Sequence, residues 1–194
     1  MKVLIACEYS GAVREAFRKR GHDAYSCDLL PADDGSQYHY KGDCWPIIAQ
    51  GWDLIIMHPP CTALAVSGNA HYGTGKPKNH LRAEAIEWTL SLYDHAKQYA
   101  PRVAFENPVG VLPVKPTQYV QPYQFGHPES KKTGLWLHSL PPLTDTNTLP
   151  KPERGYWDNQ TPSGQNKLAP SADRWKIRST TYQGIADAMA EQWG

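Results

Sequence analysis

Trp52-Asp-Leu-Ile-Ile-Met-His-Pro-Pro-Cys-Thr62 decides the fold. Leu54 to Met57 is a short continuous apolar run, the pattern of a strand buried on both faces in the middle of a parallel sheet. His58-Pro59-Pro60 ends it, because proline has no amide hydrogen for the ladder and biases its predecessor toward extended geometry. Cys61 therefore stands at the carboxyl end of a buried strand, where open α/β sheets place their ligands. After it, residues 62–78 carry Gly68, Gly73, Gly75 and Pro77, the composition of a functional loop or lid. A thiol between a rigid strand end and a mobile loop is a candidate nucleophile.

The chain on either side supplies the rest of such a sheet. Residues 2–7 read as another apolar strand. The turn Glu8-Tyr9-Ser10-Gly11 follows, then a helix over 12–20 with Ala12, Ala16 and Phe17 inward, capped by Gly21. Residues 23–27 form the next strand, finishing at Asp28. A strand, glycine turn, helix and strand in this order open a Rossmann-like nucleotide fold. A polar stretch leads through Lys41-Gly42-Asp43-Cys44 to a short helix over 46–50. Residues 81–99 show the strongest helical periodicity, with Leu81, Ala85, Trp88, Leu92 and His95/Ala96 on one face. Pro101 stops that helix. Residues 102–105 are the next parallel strand, with Glu106-Asn107-Pro108 at its carboxyl end. Residues 119–124 and 134–138 read as an antiparallel pair, 141–179 as irregular and 182–193 as a closing helix. The expected class is α/β: a mostly parallel, helix-flanked sheet with an antiparallel hairpin near the C-terminal end. It forms a single domain over 1–194, with a Pro-rich irregular insert at 139–179.

Bulk properties agree with one enzyme-sized unit. A chain of 194 residues buries about 70% of its unfolded surface. A net charge of +1 lacks the excess of a dedicated non-specific DNA binder. Cys7, Cys27, Cys44 and Cys61 are dispersed with no CxxC pair, which argues against a disulfide framework or structural zinc and for reduced cytoplasmic thiols. No metal site is expected. The N-terminal apolar run is too short for a signal peptide, and no run reaches membrane-spanning length. No internal repeat is present.

Three polar side chains then fall at strand carboxyl ends: Asp28, Cys61 and Glu106. Asp28 has the spacing from the glycine turn of an acid that binds a ribose diol. Cys61 with Glu106 is the sharper pair. A thiolate can add to an electron-poor carbon while a neighbouring carboxyl holds and protonates the ring under attack. By itself a cysteine after a strand is ordinary buried structure. Pro-Pro before it and Glu-Asn-Pro on the next strand reverse that reading. Asp43 in a Gly-Asp turn needs no ligand, and Lys131 and Lys132 are by default a solvated hairpin end. His127 suits a capping or a surface role. Trp88, Trp136 and Trp193 read as core, and Trp157 and Trp175 as loop anchors or base-stacking surfaces.

On these residues the chain resembles the cytosine-C5 DNA methyltransferases, and more closely the short phage-borne proteins of that superfamily. Pro59-Pro60-Cys61 is similar to their catalytic Pro-Cys motif, and Glu106-Asn107-Pro108 to their Glu-Asn-Val. Tyr9-Ser10-Gly11 resembles their adenosylmethionine turn, Asp28 the ribose acid, Gly42-Asp43 the acid near the adenine, and residues 182–193 the closing helix. The motifs follow family order over nearly the whole chain. The resemblance implies a Rossmann-like S-adenosylmethionine-dependent methyltransferase fold. It implies cofactor contacts from Glu8, Tyr9, Gly11, Asp28, Asp43, Pro60 and Tyr182, and catalysis by Cys61, Glu106 and Lys132. Cys61 would add to C6 of cytosine in DNA, Glu106 would bind the N3/N4 edge, and C5 would take the methyl group. On duplex DNA the base must first be flipped out. A phage setting implies a role such as restriction evasion.

Two departures matter. Ser130-Lys131-Lys132-Thr133-Gly134 replaces the family's Gln-x-Arg-x-Arg, leaving Lys132 for one arginine and nothing for the other. No separate recognition domain fits between His138 and the last helix. Two alternatives therefore stay open: the same chemistry on a free pyrimidine nucleotide or RNA, and an inactive relative that binds nucleic acid or cofactor. An amino-methyltransferase would need Asp or Asn before Pro-Pro and an aromatic after it, where His58 and Cys61 stand.

Overall fold

The computed structural model describes all 194 residues. Seven strands form one sheet: β1 (Lys2–Ala6), β2 (Asp23–Asp28), β3 (His39–Lys41), β4 (Leu54–Met57), β5 (Val103–Pro108), β6 (Gln118–Val120) and β7 (Thr133–His138). Six helices accompany them: α1 (Ala12–Lys19), α2 (Trp45–Ile48), α3 (Asn69–Tyr72), α4 (Asn79–Tyr99), α5 (Arg174–Ser179) and α6 (Gln183–Gln192). The strand order is β3-β2-β1-β4-β5-β7-β6. β1 to β5 pair in parallel, whereas β7 runs antiparallel to both β5 and β6.

Alternation along the strands builds two cores. Val3 and Ile5 of β1 and Leu54 and Ile56 of β4 join Val13 and Phe17 of α1 and Ile185 and Met189 of α6 on one face. Leu4, Ala6, Ile55 and Met57 face the other side, with Ile48 of α2 and Leu92 and Ala96 of α4. All four residues of β4 are fully buried, at about 1.5–3 kcal/mol for each large side chain. The chain winds outward from β1 to β3, then returns to the other side of β1 as β4. The junction of β1 and β4 is therefore the topological switch point, and the turns leaving both strands open into one crevice.

Several expectations are corrected. On α1, Val13 and not Ala12 is buried. Leu81 is exposed, and the neighbouring Arg82 turns inward instead. Its guanidinium donates to the carbonyls of Ala63 (2.7 Å) and Ala65 (3.4 Å) and to Asn69 Oδ1 (2.9 Å). The stretch after Cys61 is accordingly not a free lid: the Val66 amide donates to the Val109 carbonyl, the Val111 amide donates to the Leu64 carbonyl, and residues 69–72 are helical. Glu106 lies inside β5 and not beyond it, because pairing with β7 continues through Asn107 and Pro108. β3 and α5 are additional elements in stretches read as polar or irregular. The insert is held in place. Gln118 exchanges two hydrogen bonds with the backbone of Leu143, and Trp157 stacks on Tyr123 with centroids 4.6 Å apart. No helix is long and apolar enough to cross a membrane, and all four cysteines are free thiols.

Candidate active site

Cys61, in the turn after β4, and Glu106, within the neighbouring β5, stand at the same edge of the sheet. The residue after Glu106 ties the two together: Asn107 Nδ2 donates to the Pro59 carbonyl at 3.0 Å, fixing the Pro-Pro turn that delivers Cys61. The Cys61 carbonyl accepts the amides of Leu64 (3.0 Å) and Ala65 (2.8 Å), closing the turn on its other side. Burial pushes the Cys61 thiol up, the Glu106 charge adds to this, and Lys131 and Arg178 oppose it. The resting sulfur is a thiol, protected until a positive partner or higher pH releases the thiolate.

The Glu106 side chain is 12% exposed. Burial alone would raise its carboxyl, but a hydrogen bond from His58 and the charge of Lys131 outweigh it and hold it below the usual 4.5. His58 Nδ1 lies 3.4 Å from Glu106 Oε2.

Lys131, and not Lys132, is the cation of this crevice. Lys131 lines a pocket with Glu106, Thr133, Thr181 and Tyr182. Gln121 Oε1 accepts its amide at 3.0 Å, Asn159 brackets the backbone of Ser130, and its Nζ donates to the Arg178 carbonyl at 2.8 Å. Lys132 is exposed with Nζ 4.3 Å from the centroid of the Tyr119 ring, away from Glu106. The physical reason is alternation: adjacent residues entering β7 face opposite ways.

Tyr182 borders the same pocket just before α6, its hydroxyl donating to Glu129. Burial and that carboxylate push the phenol up. His127 is a cap, accepting the Gly184 amide at 2.9 Å as α6 begins.

A second cluster lies at the carboxyl ends of β1 and β2. Gly11, at φ +76°, opens α1 in the left-handed region that glycine tolerates. Glu8 is buried and binds the first amides of α1, Val13 at 2.7 Å and Arg14 at 3.3 Å. It is therefore spoken for within the turn. Tyr9 donates toward α5, with its hydroxyl 3.0 Å from Ser179 Oγ. Asp28 Oδ1 accepts the Leu30 amide at 2.9 Å, and Asp43 Oδ1 accepts the Trp45 amide at 3.2 Å. In both, no protein group takes the second carboxylate oxygen. Burial, then Cys44, Asp28 and Asp43, push the Cys27 thiol to about 12, so the two acids surround one floor of thiols. An apolar floor with two partly free carboxylates fits a nucleoside: one oxygen for a diol, one for an amino edge. Cys27 and Cys44, which line this floor, carry no sequence signal beyond their cysteine identity. Pro60 is exposed beside Cys61.

No family model and no curated protein matches the sequence. Among solved structures, the S. pombe Dnmt2 methyltransferase is 17% identical over 70% of this chain and 48% of its own, with a TM-score of 0.47. The Entamoeba histolytica methyltransferase EhMeth is 13% identical over 76% of this chain and 57% of its own, with a TM-score of 0.51. The chain spans about half the length of these structures. With the strand order and switch point above, the likeness to the second structure gives this chain the Rossmann-like fold of S-adenosylmethionine-dependent methyltransferases.

Proposed function

We propose that the protein is a cytosine-C5 methyltransferase that acts on DNA through a covalent bond from Cys61. The single observation carrying this reading is that Cys61, in the turn just after β4, lies near enough to Glu106 of the neighbouring β5 for the carboxylate charge to act on the thiol. A nucleophile beside an acid that can hold the N3/N4 edge of a pyrimidine is what addition at C6 requires.

S-adenosylmethionine would supply an electrophilic methyl group when bound. Asp28 and Asp43 would hold its nucleoside end over the thiol floor, and the turn through Tyr9 and Gly11 would meet its other end. The Cys61 thiol gives its proton to solvent, and the thiolate so formed bonds C6 and makes C5 nucleophilic. Lys131 faces Glu106 in the pocket and offers a donor toward the pyrimidine carbonyl, in the role expected of Lys132. After the C5 proton is lost to solvent, the C6–S bond breaks, and the released thiolate takes a proton back to the resting thiol.

A polynucleotide is favoured over a free nucleotide by α5. Its sequence Arg174-Trp-Lys-Ile-Arg178 brings three cations, and Trp175 and Ile177 are 51% and 59% exposed. Its Arg178 carbonyl receives Lys131 at the crevice itself. Cations for phosphates and an exposed indole for stacking suit a single strand. The test offers duplex DNA, single-stranded DNA, RNA and dCMP with methyl-labelled cofactor. Label at C5 of cytosine in DNA is the expected result, and label in dCMP or RNA alone would transfer the same chemistry to the other acceptor.

A further inference from the structure

Two arginines of this chain are buried, and they are held in different ways. Arg14 pairs with the carboxylates of Glu15 and Asp34, the usual partners of an enclosed guanidinium. The acceptors of Arg82 are neutral: the carbonyls of Ala63 and Ala65 and the side-chain oxygen of Asn69, all from the stretch that follows Cys61. A guanidinium presents its donors in a rigid planar fork, so these three oxygens are held in fixed relation to one another.

The grip reaches Cys61 by a short path. Ala65, whose carbonyl Arg82 holds at 3.4 Å, gives its own amide to the Cys61 carbonyl at 2.8 Å. The other side of the turn lies against the chain that follows Glu106-Asn107-Pro108. There the Val66 amide donates to the Val109 carbonyl at 3.1 Å, and the Val111 amide to the Leu64 carbonyl at 3.0 Å. Gly110 permits that approach, because a Cβ in its place would lie 2.4 Å from the Leu64 carbonyl oxygen. Arg82 itself stands near the start of α4, whose Leu92 and Ala96 are fixed in the core. The turn is thus clamped between a helix seated on the sheet and the continuation of β5.

We propose that Arg82 is a positioning residue for the Cys61 nucleophile: its guanidinium clamps the turn after Cys61 against residues 109–111 and so sets the thiol relative to Glu106. Addition at C6 needs the sulfur in line with that carbon while Glu106 holds the opposite edge of the ring. A displacement of about 1 Å at such a centre costs about 10²-fold in rate. Arg82 touches none of the reacting atoms and acts only through the turn it gathers. The proposal rests on the methyltransferase reading.

The test uses the intact protein, S-adenosylmethionine and a cytosine-containing single-stranded oligodeoxynucleotide. Arg82→Lys keeps the charge and loses the fork. It should lower kcat by about 10²-fold, with KM for the oligonucleotide and the calorimetric affinity and stoichiometry for the cofactor within about twofold of the parent. A merely structural role would reduce the cofactor-binding fraction in step with kcat, and that result would overturn the proposal. Gly110→Ala presses on the turn from its other side and should give the same split, which carries the test if Arg82→Lys fails to fold. Parental kcat in either variant would overturn the clamp. Amide hydrogen exchange reads the turn without turnover: residues 64–66 should exchange faster in Arg82→Lys, and unchanged exchange would also overturn it. Faster exchange with no methyl transfer by the parent would instead remove the enzymatic reading, and the positioning role with it.

Discussion

Glu106 opposes the ionisation of Cys61. Cys61 follows β4 and Glu106 lies on the adjacent parallel strand β5, and the carboxylate adds to the burial that keeps the thiol protonated. Lys131 and Arg178 pull the other way. Nucleophile, acid and cation are thus electrostatically linked before any substrate arrives.

The sign of that linkage can be measured with a small alkylating reagent. A raised thiol is less ionised at a given pH than a free cysteine, so alkylation of Cys61 should be slow at neutral pH and rise only at higher pH than that of a free cysteine. Glu106→Gln removes a raising charge and should speed alkylation at pH 8. Lys131→Met removes a lowering charge and should slow it. Peptide mass spectrometry assigns the modified cysteine. Opposite signs would mean that the two side chains do not act on Cys61 as the geometry requires.

Lys131 and Lys132 should separate cleanly. Lys131→Ala should lower turnover by about 10²-fold, as loss of one preorganised donor does, with cofactor affinity intact. Lys132→Ala should stay within about twofold of the parent, because its ammonium lies over Tyr119. Steady-state kinetics of both variants checks this, and equal losses would return Lys132 to the site.

The difference between those two lysines shows where the sequence stops being legible. Apolar runs placed β1 and β4, because a doubly covered parallel strand leaves an unmistakable pattern, and the strand–turn–helix order and the Pro101 stop placed β2 and β5, and with them Asp28 and Glu106. Which of two adjacent lysines faces inward depends on the register of β7, and nothing in Ser130-Lys-Lys-Thr133 fixes it. β3 escaped notice because His39–Lys41 buries no residue and pairs on one side only. α5 escaped because Trp175 and Ile177 are both exposed, so no buried face imposes a helical period. Leu81 was misplaced for the opposite reason: the carbonyls of Ala63 and Ala65 draw Arg82 inward, and a polar contact across the loop overrides apolar periodicity.

At the other end of the crevice, Asp28 keeps one carboxylate oxygen free of protein partners. Asp28→Ala should weaken S-adenosylmethionine binding by about 1–3 kcal/mol, the cost of leaving a diol without its acceptor. Asp43 is exposed, and Asp43→Ala should cost less. Isothermal calorimetry checks both, and equal affinity in Asp28→Ala would move the nucleoside elsewhere.

Trapping of Cys61 bears most directly on the proposed activity. An oligodeoxynucleotide carrying 5-fluorocytosine cannot lose its C5 substituent, so once C6 is bonded the sulfur cannot leave. With S-adenosylmethionine present, the predicted result is a stable protein–DNA adduct whose mass maps to the peptide containing Cys61 and is absent from Cys61→Ser. Methyl transfer to the unmodified oligonucleotide by Cys61→Ser at near-parental rate, or an adduct on Cys7, Cys27 or Cys44, would contradict it.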